Sequence, residues 1–324
     1  MTTTSPWRPS RALQGPMPAR ITDIDALNRV FSDAFTERYR RDGMVGVRVP
    51  NLNPAIWRYA IEDADGGAML WRDERDEIVA FNIAHHSGVE GWMGPLAVRP
   101  EWQGNGVGRG VVNAGIDWLR GRRATVIGLE TMPRTMDNIG FYSALGFEPG
   151  RLTLTLTLDA APAERPPVLL GRLSSADYEE QVAESAALVG SLLPGYDFTR
   201  ELRLTNDLAL GDTVLLHERG VLVAYALCHT VPLVEGRARE ELRVLKMVIA
   251  ASDHVEPMLR ALADFARRSG TRRVAFRVQG EYLPLYQRLI AIGARVRWTD
   301  LRMTVTGYPE PHADGGVVLS NWEI

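Results

Sequence analysis

The feature that most constrains the fold is a glycine-rich turn between an apolar run and a helical pattern. Residues 92–98 suit a strand, the turn contains Gly104, Gly106 and Gly108, and residues 111–119 place apolar side chains at a helical period. Glycine leaves no Cβ between a ligand and the backbone, and the first amides of a helix have no partner inside the helix. This order of strand, turn and helix predicts a site for a phosphate or pyrophosphate.

Two other phosphate-binding motifs do not fit this turn. It lacks the Gly-Lys-Ser/Thr ending of a P-loop, and its glycine spacing differs from the Gly-x-Gly-x-x-Gly of a dinucleotide-binding turn. What remains is Gln-x-x-Gly-x-Gly, which runs from Gln103 to Gly108. The alternative is a tight turn that serves only to start a core helix.

Composition limits the class of protein and its partners. The chain has 324 residues, enough for two domains, and its 45% hydrophobic and 24% charged residues are typical of a globular protein. A net charge of −3 gives no reason to expect nucleic acid, and the single cysteine, Cys228, excludes an intrachain disulfide. No apolar run suits a membrane span and the start has no signal-peptide core, so we expect a cytoplasmic protein that binds no membrane.

The order of predicted elements in the first half describes an α+β domain with a mostly antiparallel sheet. The polar, proline-rich start, residues 1–18, is expected to be disordered, and the domain covers residues 19–158. Its predicted elements are a strand at 19–21, helices at 24–35 and 54–61, a hairpin over 69–85, the strand, turn and helix at 92–120, a strand at 124–130, a helix at 137–145 and a strand at 152–158.

The same order repeats after a proline-rich segment, residues 159–167, which predicts an extended linker. Similar hairpin sequences end at Phe81 and Tyr225, 144 residues apart, and a later pair of tyrosines keeps the same offset. We therefore predict two copies of one fold, the second over residues 168–308. The tail, residues 309–324, ends in an apolar stretch that we expect to dock as a strand or plug on one of the domains.

A second signature follows the predicted strand at 124–130. Residues 138–147 read Asn-Ile-Gly-Phe-Tyr-Ser-Ala-Leu-Gly-Phe, and residues 94–108 read Gly-Pro-Leu-Ala-Val-Arg-Pro-Glu-Trp-Gln-Gly-Asn-Gly-Val-Gly. Together the two motifs resemble the GCN5-related N-acetyltransferase (GNAT) family, and their spacing suits that family. The resemblance covers the middle of the first half. It implies two tandem acetyltransferase-type domains, each a mixed sheet flanked by helices, with acetyl-CoA as cosubstrate and no metal.

The resemblance also implies a set of cofactor-binding residues. Backbone groups at the end of the strand would bind the pantetheine arm and polarise the thioester carbonyl, and they belong to Leu96, Ala97 and Val98. The turn and the start of the helix would hold the pyrophosphate through Gln103, Gly104, Asn105, Gly106, Val107, Gly108 and Arg109. From the second motif, Asn138 and Phe141 would lie at the cofactor, although helix capping is an alternative role for Asn138.

Acetyl transfer to an amine needs a neutral amine, a stabilised carbonyl oxygen and a proton for the departing thiolate. Tyr142 matches the family's usual general acid, and a core aromatic residue is the alternative. Glu130 ends one predicted strand and Glu90 precedes another, so either could act as the base, directly or through a water. Each could instead be a solvated strand-end carboxylate. We expect His85 and His86 to be structural or to face solvent.

The second half departs from the cofactor motif. At the matching turn it reads Ala251-Ser-Asp-His-Val-Glu-Pro, which contains no glycine. The carboxylates of Asp253 and Glu256 would repel a pyrophosphate. We therefore predict a degenerate domain with a structural or substrate-shaping role, in which Tyr286 packs, and one cofactor site per chain.

These observations predict an N-acetyltransferase that moves an acetyl group from acetyl-CoA to a primary amine by direct attack in a ternary complex. The acceptor could be a small molecule or a peptide amine, and Trp57, Trp71 and Trp92 could line its pocket or simply pack. One alternative is a non-catalytic acyl-CoA sensor or interaction protein. A second is a mycothiol synthase-like enzyme, also a tandem member of the family, in which the intact cofactor loop lies in the second half. The oligomeric state stays open.

Overall fold

The computed structural model describes residues 12–323 and has an α+β fold. Its helices are α1 (Ile24–Arg41), α2 (Pro54–Asp63), α3 (Val107–Gly121), α4 (Met136–Ser143), α5 (Ser175–Leu192), α6 (Thr199–Asp207), α7 (Val255–Arg268) and α8 (Leu283–Ala291). Its strands are β1 (Gln14–Pro18), β2 (Ala68–Arg72), β3 (Ile78–Ser87), β4 (Glu90–Val98), β5 (Val126–Thr131), β6 (Phe147–Asp159), β7 (Val168–Leu169), β8 (Gly211–Glu218), β9 (Val221–His229), β10 (Glu241–Ile249), β11 (Arg273–Gln279), β12 (Arg295–Val305) and β13 (Val317–Ser320).

The strands of the described chain form one mixed, mostly antiparallel sheet. Their order is β1-β2-β3-β4-β5-β12-β6-β11-β10-β9-β8-β7, and β13 pairs with β10. Each half contributes one parallel pair, β4 with β5 and β10 with β11. The order β1 to β5 of the first half matches β7 to β11 of the second, as the predicted duplication requires.

The two halves exchange the ends of their last long strands. β12 of the second half lies between β5 and β6, with Leu301 beside Thr131. In return, the C-terminal part of β6 pairs with β11, from Thr153 beside Gln279 to Asp159 beside Arg273. Each half of the sheet is completed by a strand from the other half. The proposed domain boundary near residue 158 therefore divides the chain without dividing the sheet.

The hydrophobic core has a shared part and two separate parts. Helices α1, α2, α5 and α6 pack on one face of the sheet around a continuous cluster that includes Trp57 and Tyr225. Helices α3 and α4 cover the other face of the first half, and α7 and α8 cover that face of the second. Cys228 is buried and Tyr286 packs against the second half's cluster, which confirms both predictions. The shared cluster joins the halves through buried apolar surface.

The start of the described chain differs from its prediction. Residues 14–18 were expected to be disordered, but they form β1, in which Met17 pairs with Leu70 of β2. The strand expected at 19–21 is wrong as well, because a 3-10 turn begins at Ile21. Proline suggested disorder, yet an edge strand tolerates proline because its outer amides need no partner. Residues 1–11, the rest of that predicted segment, lie outside the described residues.

The tail docks as a strand, as predicted. β13 runs antiparallel to β10, with Val317 beside Ile249 and Ser320 beside Lys246. The chain then continues to Trp322, whose side chain is buried. Between the halves, residues 160–167 form no helix or strand, in keeping with the extended linker predicted there. The tail therefore belongs to the fold of both halves.

Candidate active site

The candidate site lies where β4 and β5 separate. Their parallel pairing runs from Glu90 beside Val126 to Met93 beside Leu129 and then stops. At residues 94–95 a bulge sets two residues of β4 opposite one residue of β3. A bulge bends and twists its strand, so the end of β4 turns away from β5. The result is a wedge between the two strands, which we call the first wedge.

The backbone of Leu96, Ala97 and Val98 borders the first wedge. On one side these residues pair with Asn82, Phe81 and Ala80 of β3. On the other side, no strand of the described chain pairs with them. An unpaired strand edge presents N–H and C=O groups that can bind an extended ligand.

The glycine turn presents further unpaired amides. Gly104 and Gly106 have φ angles of 77° and 82°, and Gly106 immediately precedes α3. A Cβ at either position would meet no atom within 4 Å, so the left-handed backbone rather than crowding requires glycine. Among residues 12–323, the amides of residues 104–109 have no protein acceptor. With the positive end of the helix dipole they form an anion site.

Two predicted cofactor residues support this turn from within. The Gln103 amide donates from Nε2 to the Val98 carbonyl at 2.9 Å, which ties the turn to the end of β4. The Phe141 ring lies against Gly108, where an added Cβ would be 3.3 Å from the ring. Both residues therefore shape the anion site rather than point into it.

Three other predicted cofactor residues lie around the turn. Asn105 and Arg109 are exposed, the first within the turn and the second in the first turn of α3. Asn138 is in α4, and its Nδ2 lies 3.4 Å from Thr131 Oγ1 at the end of β5. Asn138 thus reaches the far side of the first wedge.

Tyr142 is buried between α4 and the sheet. Its ring centroid lies 5.2 Å from that of Phe141 and 5.8 Å from that of Phe147. Burial raises the pKa of Tyr142 to about 12. The phenol is therefore protonated at neutral pH, as a general acid must be, although its pKa is further from the thiol value of about 8.5 than that of a free tyrosine.

Glu130 is held in a buried cluster of charges. Its carboxylate contacts Arg277 of β11, accepts from Arg302 Nε of β12 at 2.8 Å, and accepts from Thr153 Oγ1 at 2.6 Å. Burial favours a higher pKa for Glu130, but the two guanidinium groups outweigh it and lower the pKa to about 2. A carboxylate with so low a pKa is a weak base, which counts against the predicted role.

Glu90 is covered by the tail. The side chain is fully buried, and its oxygens accept from Trp322 Nε1 at 2.8 Å and from Ser320 Oγ at 2.7 Å. Lys246 of β10 adds a cation at 3.5 Å. An amine could reach Glu90 only by displacing the tail, so this predicted base is inaccessible in the folded chain.

The same tail covers one face of the first wedge. The Arg302 guanidinium lies 4.1 Å from the Trp322 ring centroid. Below that ring is Gly128 of β5, where a Cβ would lie 2.6 Å from a ring carbon. The backbone carbonyl of Trp322 also approaches Gly94, at 3.5 Å from a Cβ built there. Glycine at 128 allows the close approach that seats the indole.

The second half supplies charged residues near the first wedge that the sequence motifs did not predict. Arg277 holds three carboxylates from three elements, namely Glu130 of β5, Asp300 of β12 at 3.0 Å and Glu323 after β13 at 2.7 Å. No motif marks these residues. They meet the first wedge only because β12 and the tail cross into the first half, and strand exchange leaves no periodic signal.

The predicted acceptor-pocket tryptophans and the two histidines have mainly structural surroundings. Trp57 and Trp71 are buried in the core, and Trp92 stacks on His85 with ring centroids 4.0 Å apart. His85 is fully buried, with Nδ1 2.6 Å from Asp63 Oδ2. His86 is partly buried, and that burial lowers its pKa. Trp57 and Trp71 therefore pack, whereas Trp92 also lines a small cavity of about 10 Å³ beside Glu201 and Lys246.

The second half has a corresponding wedge, but the tail fills it. β10 pairs with β11 only over residues 241–243, and β13 then lies along residues 246–249. These positions match the part of β4 that is unpaired in the first half. Beside the start of α7, Glu256 forms an ion pair with Arg288 at the wall of a cavity of about 570 Å³. This half therefore offers a pyrophosphate neither a glycine turn nor a free strand edge.

Within residues 12–323, no group of three or more His, Cys, Asp or Glu side chains is arranged to hold a metal ion. None of the described helices combines the length and apolar character needed to cross a membrane.

Comparison with known proteins agrees with this architecture. The model of the acetyltransferase (GNAT) family matches residues 26–147, and a search of curated proteins found no match. A Pyrococcus horikoshii protein assigned to the acetyltransferases has 16% identity and a TM-score of 0.67, over 99% of this chain and 98% of that one. A GCN5-related N-acetyltransferase from Sphaerobacter thermophilus has 16% identity and a TM-score of 0.57, over 93% and 97%.

A tandem GNAT protein from the clavulanic acid biosynthesis pathway is also similar, with 13% identity and a TM-score of 0.58 over 93% of this chain and all of that one. Identities this low establish a shared fold and nothing finer. The fold nevertheless extends over both halves, and the family model covers most of the first. Residues 26–147 thus match the acetyltransferase (GNAT) family, and the fold of the chain is similar to that of a tandem GNAT protein.

Proposed function

We propose that this chain transfers an acetyl group from acetyl-CoA to a primary amine within a ternary complex. The observation that carries the proposal is the pairing of an unpaired β4 edge with a turn whose amides lack protein acceptors. The two features adjoin, because the turn begins where β4 ends. A thioester arm with an anionic pyrophosphate needs both features, in that order along the chain.

The second half supports the cofactor's predicted path. There β13 lies against β10 at positions that match the unpaired part of β4. An extended chain can therefore bind that edge of a GNAT sheet through backbone hydrogen bonds. We infer that the pantetheine arm binds Leu96, Ala97 and Val98 in the same way, while the amides of residues 104–109 hold the pyrophosphate.

Acetyl-CoA supplies the activated acetyl group, and the chain supplies orientation and protons. The amine nitrogen attacks the thioester carbonyl carbon, and backbone amides of β4 stabilise the negative charge on the oxygen. When the C–S bond breaks, the Tyr142 hydroxyl donates its proton to the thiolate. Both predicted bases are enclosed, Glu90 by the tail and Glu130 by two arginines. The proton of the amine therefore needs another acceptor.

This enclosure is also the one observation that favours a second candidate function. A non-catalytic acyl-CoA sensor would need the first wedge and the glycine turn but no base. The mycothiol synthase-like alternative gains no such support, because it places the working cofactor loop in the second half, where β13 fills the wedge. The acceptor's identity, small molecule or peptide, and the cytoplasmic location stay predictions.

Replacing Tyr142 with Phe tests the proposal. The variant should keep acetyl-CoA affinity within about twofold and lose roughly 10²-fold in turnover, because the acid is gone while the ring still packs. Thiol release with a panel of amines gives the rate, and titration calorimetry gives the affinity.

Tyr286→Phe in the second half is the matched control and should leave both values unchanged. A sensor would bind acetyl-CoA and acetylate no amine. Turnover of Tyr142→Phe at the wild-type rate across the pH range would contradict the assigned acid.

A further inference from the structure

Asp300 lies at the mouth of the first wedge on the face opposite α3 and α4. It precedes Leu301, which pairs with Thr131 at the end of β5. One nitrogen of Arg277, Nη2, contacts both Asp300 Oδ2, at 3.0 Å, and Glu130. Asp300 therefore lies on the same face as Glu130 but nearer the open end of the wedge.

We propose that Asp300, contributed by the second half through β12, is the general base of the acetyl transfer; this inference rests on the function proposed above. Access distinguishes it from the two carboxylates predicted earlier. Its side chain is 12% exposed, against 5% for Glu130 and none for Glu90. A base has to approach the amine to hydrogen-bond distance, directly or through one water.

The basicity of Asp300 also suits the task. Burial raises its pKa and Arg277 lowers it, while the neighbouring charges of Glu323 and Glu130 raise it again, to about 7. Glu130, with a pKa of about 2, is a much weaker base. Base catalysis is most effective when the pKa of the base is close to the working pH.

The surroundings of Asp300 suit a cationic amine. Trp298 Nε1 donates to Asp300 Oδ1 at 3.3 Å, and the Arg134 guanidinium lies over the rings of Trp298 and Tyr39 at 5.3 and 5.8 Å. Burial and then the charges of Glu323 and Asp300 raise the pKa of Tyr39, so α1 also faces this cluster. Four carboxylates share three guanidinium groups here, so one negative charge is left that an ammonium group would balance; the groups are Glu130, Asp300, Glu323 and Glu310 with Arg277, Arg302 and Arg134.

The proton transfers balance. An entering ammonium loses one proton to the carboxylate of Asp300, and the neutral nitrogen then bonds to the thioester carbonyl carbon. The nitrogen releases its second proton as the C–S bond breaks, again through Asp300, and the thiolate takes the proton of Tyr142. Asp300 passes its protons to solvent through the small exposed part of its side chain, and Tyr142 recovers one from solvent. The products are an amide and a free thiol.

Asp300→Asn in the full chain is the direct test. We expect kcat to fall by about 10²-fold or more, while calorimetry shows acetyl-CoA affinity within about twofold of wild type. Asp314→Asn, a matched change at an exposed carboxylate of the tail, should leave kcat unchanged. Wild-type kcat/KM should fall as pH drops below about 7, because protonated Asp300 cannot accept a proton, and the Asp300→Asn profile should lack this fall.

Glu323→Gln tests the base role in a second way. If Asp300 had only a structural role, this variant would not shift the pH profile. Removing this neighbouring negative charge lowers the pKa of Asp300, so the acid limb of the profile should shift to lower pH while turnover persists. Wild-type kcat in Asp300→Asn, or an acid limb that keeps its position in Glu323→Gln, would overturn the assignment.

A measurement without substrate separates this inference from the proposed function. Tryptophan fluorescence of the wild type should include a titration near pH 7 from the Trp298–Asp300 hydrogen bond, and this component should be lost in Asp300→Asn and Trp298→Phe. Failure of the wild type to acetylate any amine, with this titration present, would overturn the proposed function and the base role together. A wild type that acetylates amines but shows no such titration would overturn the base assignment alone.

Discussion

Trp322 joins the tail to the first half near the first wedge. Its indole donates to Glu90, stacks under Arg302 and lies on Gly128. A buried carboxylate without partners is costly, so the indole N–H supplies one of the hydrogen bonds that Glu90 needs inside the protein. The indole fits here because residue 128 is a glycine and has no side chain.

Gly128→Ala should therefore destabilise the protein by about 1–3 kcal/mol, because overpacking a tight contact forces the neighbours to shift. The added Cβ would overlap the Trp322 ring and lie 2.9 Å from the Met303 carbonyl oxygen. Urea unfolding at neutral pH measures the change. Gly121→Ala, at a helical position where a Cβ meets nothing within 4 Å, is the control and should be neutral. Equal stability of the two variants would contradict the seating of Trp322.

At the scale of elements, sequence periodicity and motifs predicted the helices, hairpins and turns, which depend on residues close together in the sequence. The hairpin expected over 69–85 is β2 with β3, and the glycine turn does begin α3. The exchange of β6 and β12 could not be predicted, because each strand has the same apolar alternation whichever neighbour it pairs with. For the same reason the motifs predicted Tyr142 but not Asp300 or Arg277, whose contacts depend on partners from the other half.

For the tail, the sequence predicted the type of element but not the place where it docks. Its apolar sequence correctly indicated a docked strand. Which wedge it fills is visible only in the structure, where β13 pairs with residues 246–249 of β10. That geometry arises only in the assembled sheet. Filling the second wedge leaves the first as the one described wedge with an unpaired strand edge.

At the scale of the whole molecule, the exchanged strands make each half depend on the other. A fragment of residues 12–158 lacks β12, which pairs with β5, and the tail, which covers Glu90. We expect this fragment to show no cooperative thermal transition by circular dichroism, whereas the full chain unfolds in one transition. Coexpression with residues 159–324 should restore the transition. A fragment that melts cooperatively within a few degrees of the full chain would contradict this dependence.

We expect acetyl-CoA to bind once per chain, in the first wedge and on the glycine turn. Calorimetric titration of the full chain with acetyl-CoA tests it most directly. Gly106→Ala places a side chain where φ is 82°, so affinity should fall about tenfold, while Gly110→Ala, a helical position with open space, should bind as wild type. We predict one site per chain, weakened by Gly106→Ala alone. Two sites per chain would mean that the second half also binds the cofactor, and one site insensitive to Gly106→Ala would mean that the cofactor does not bind on the glycine turn.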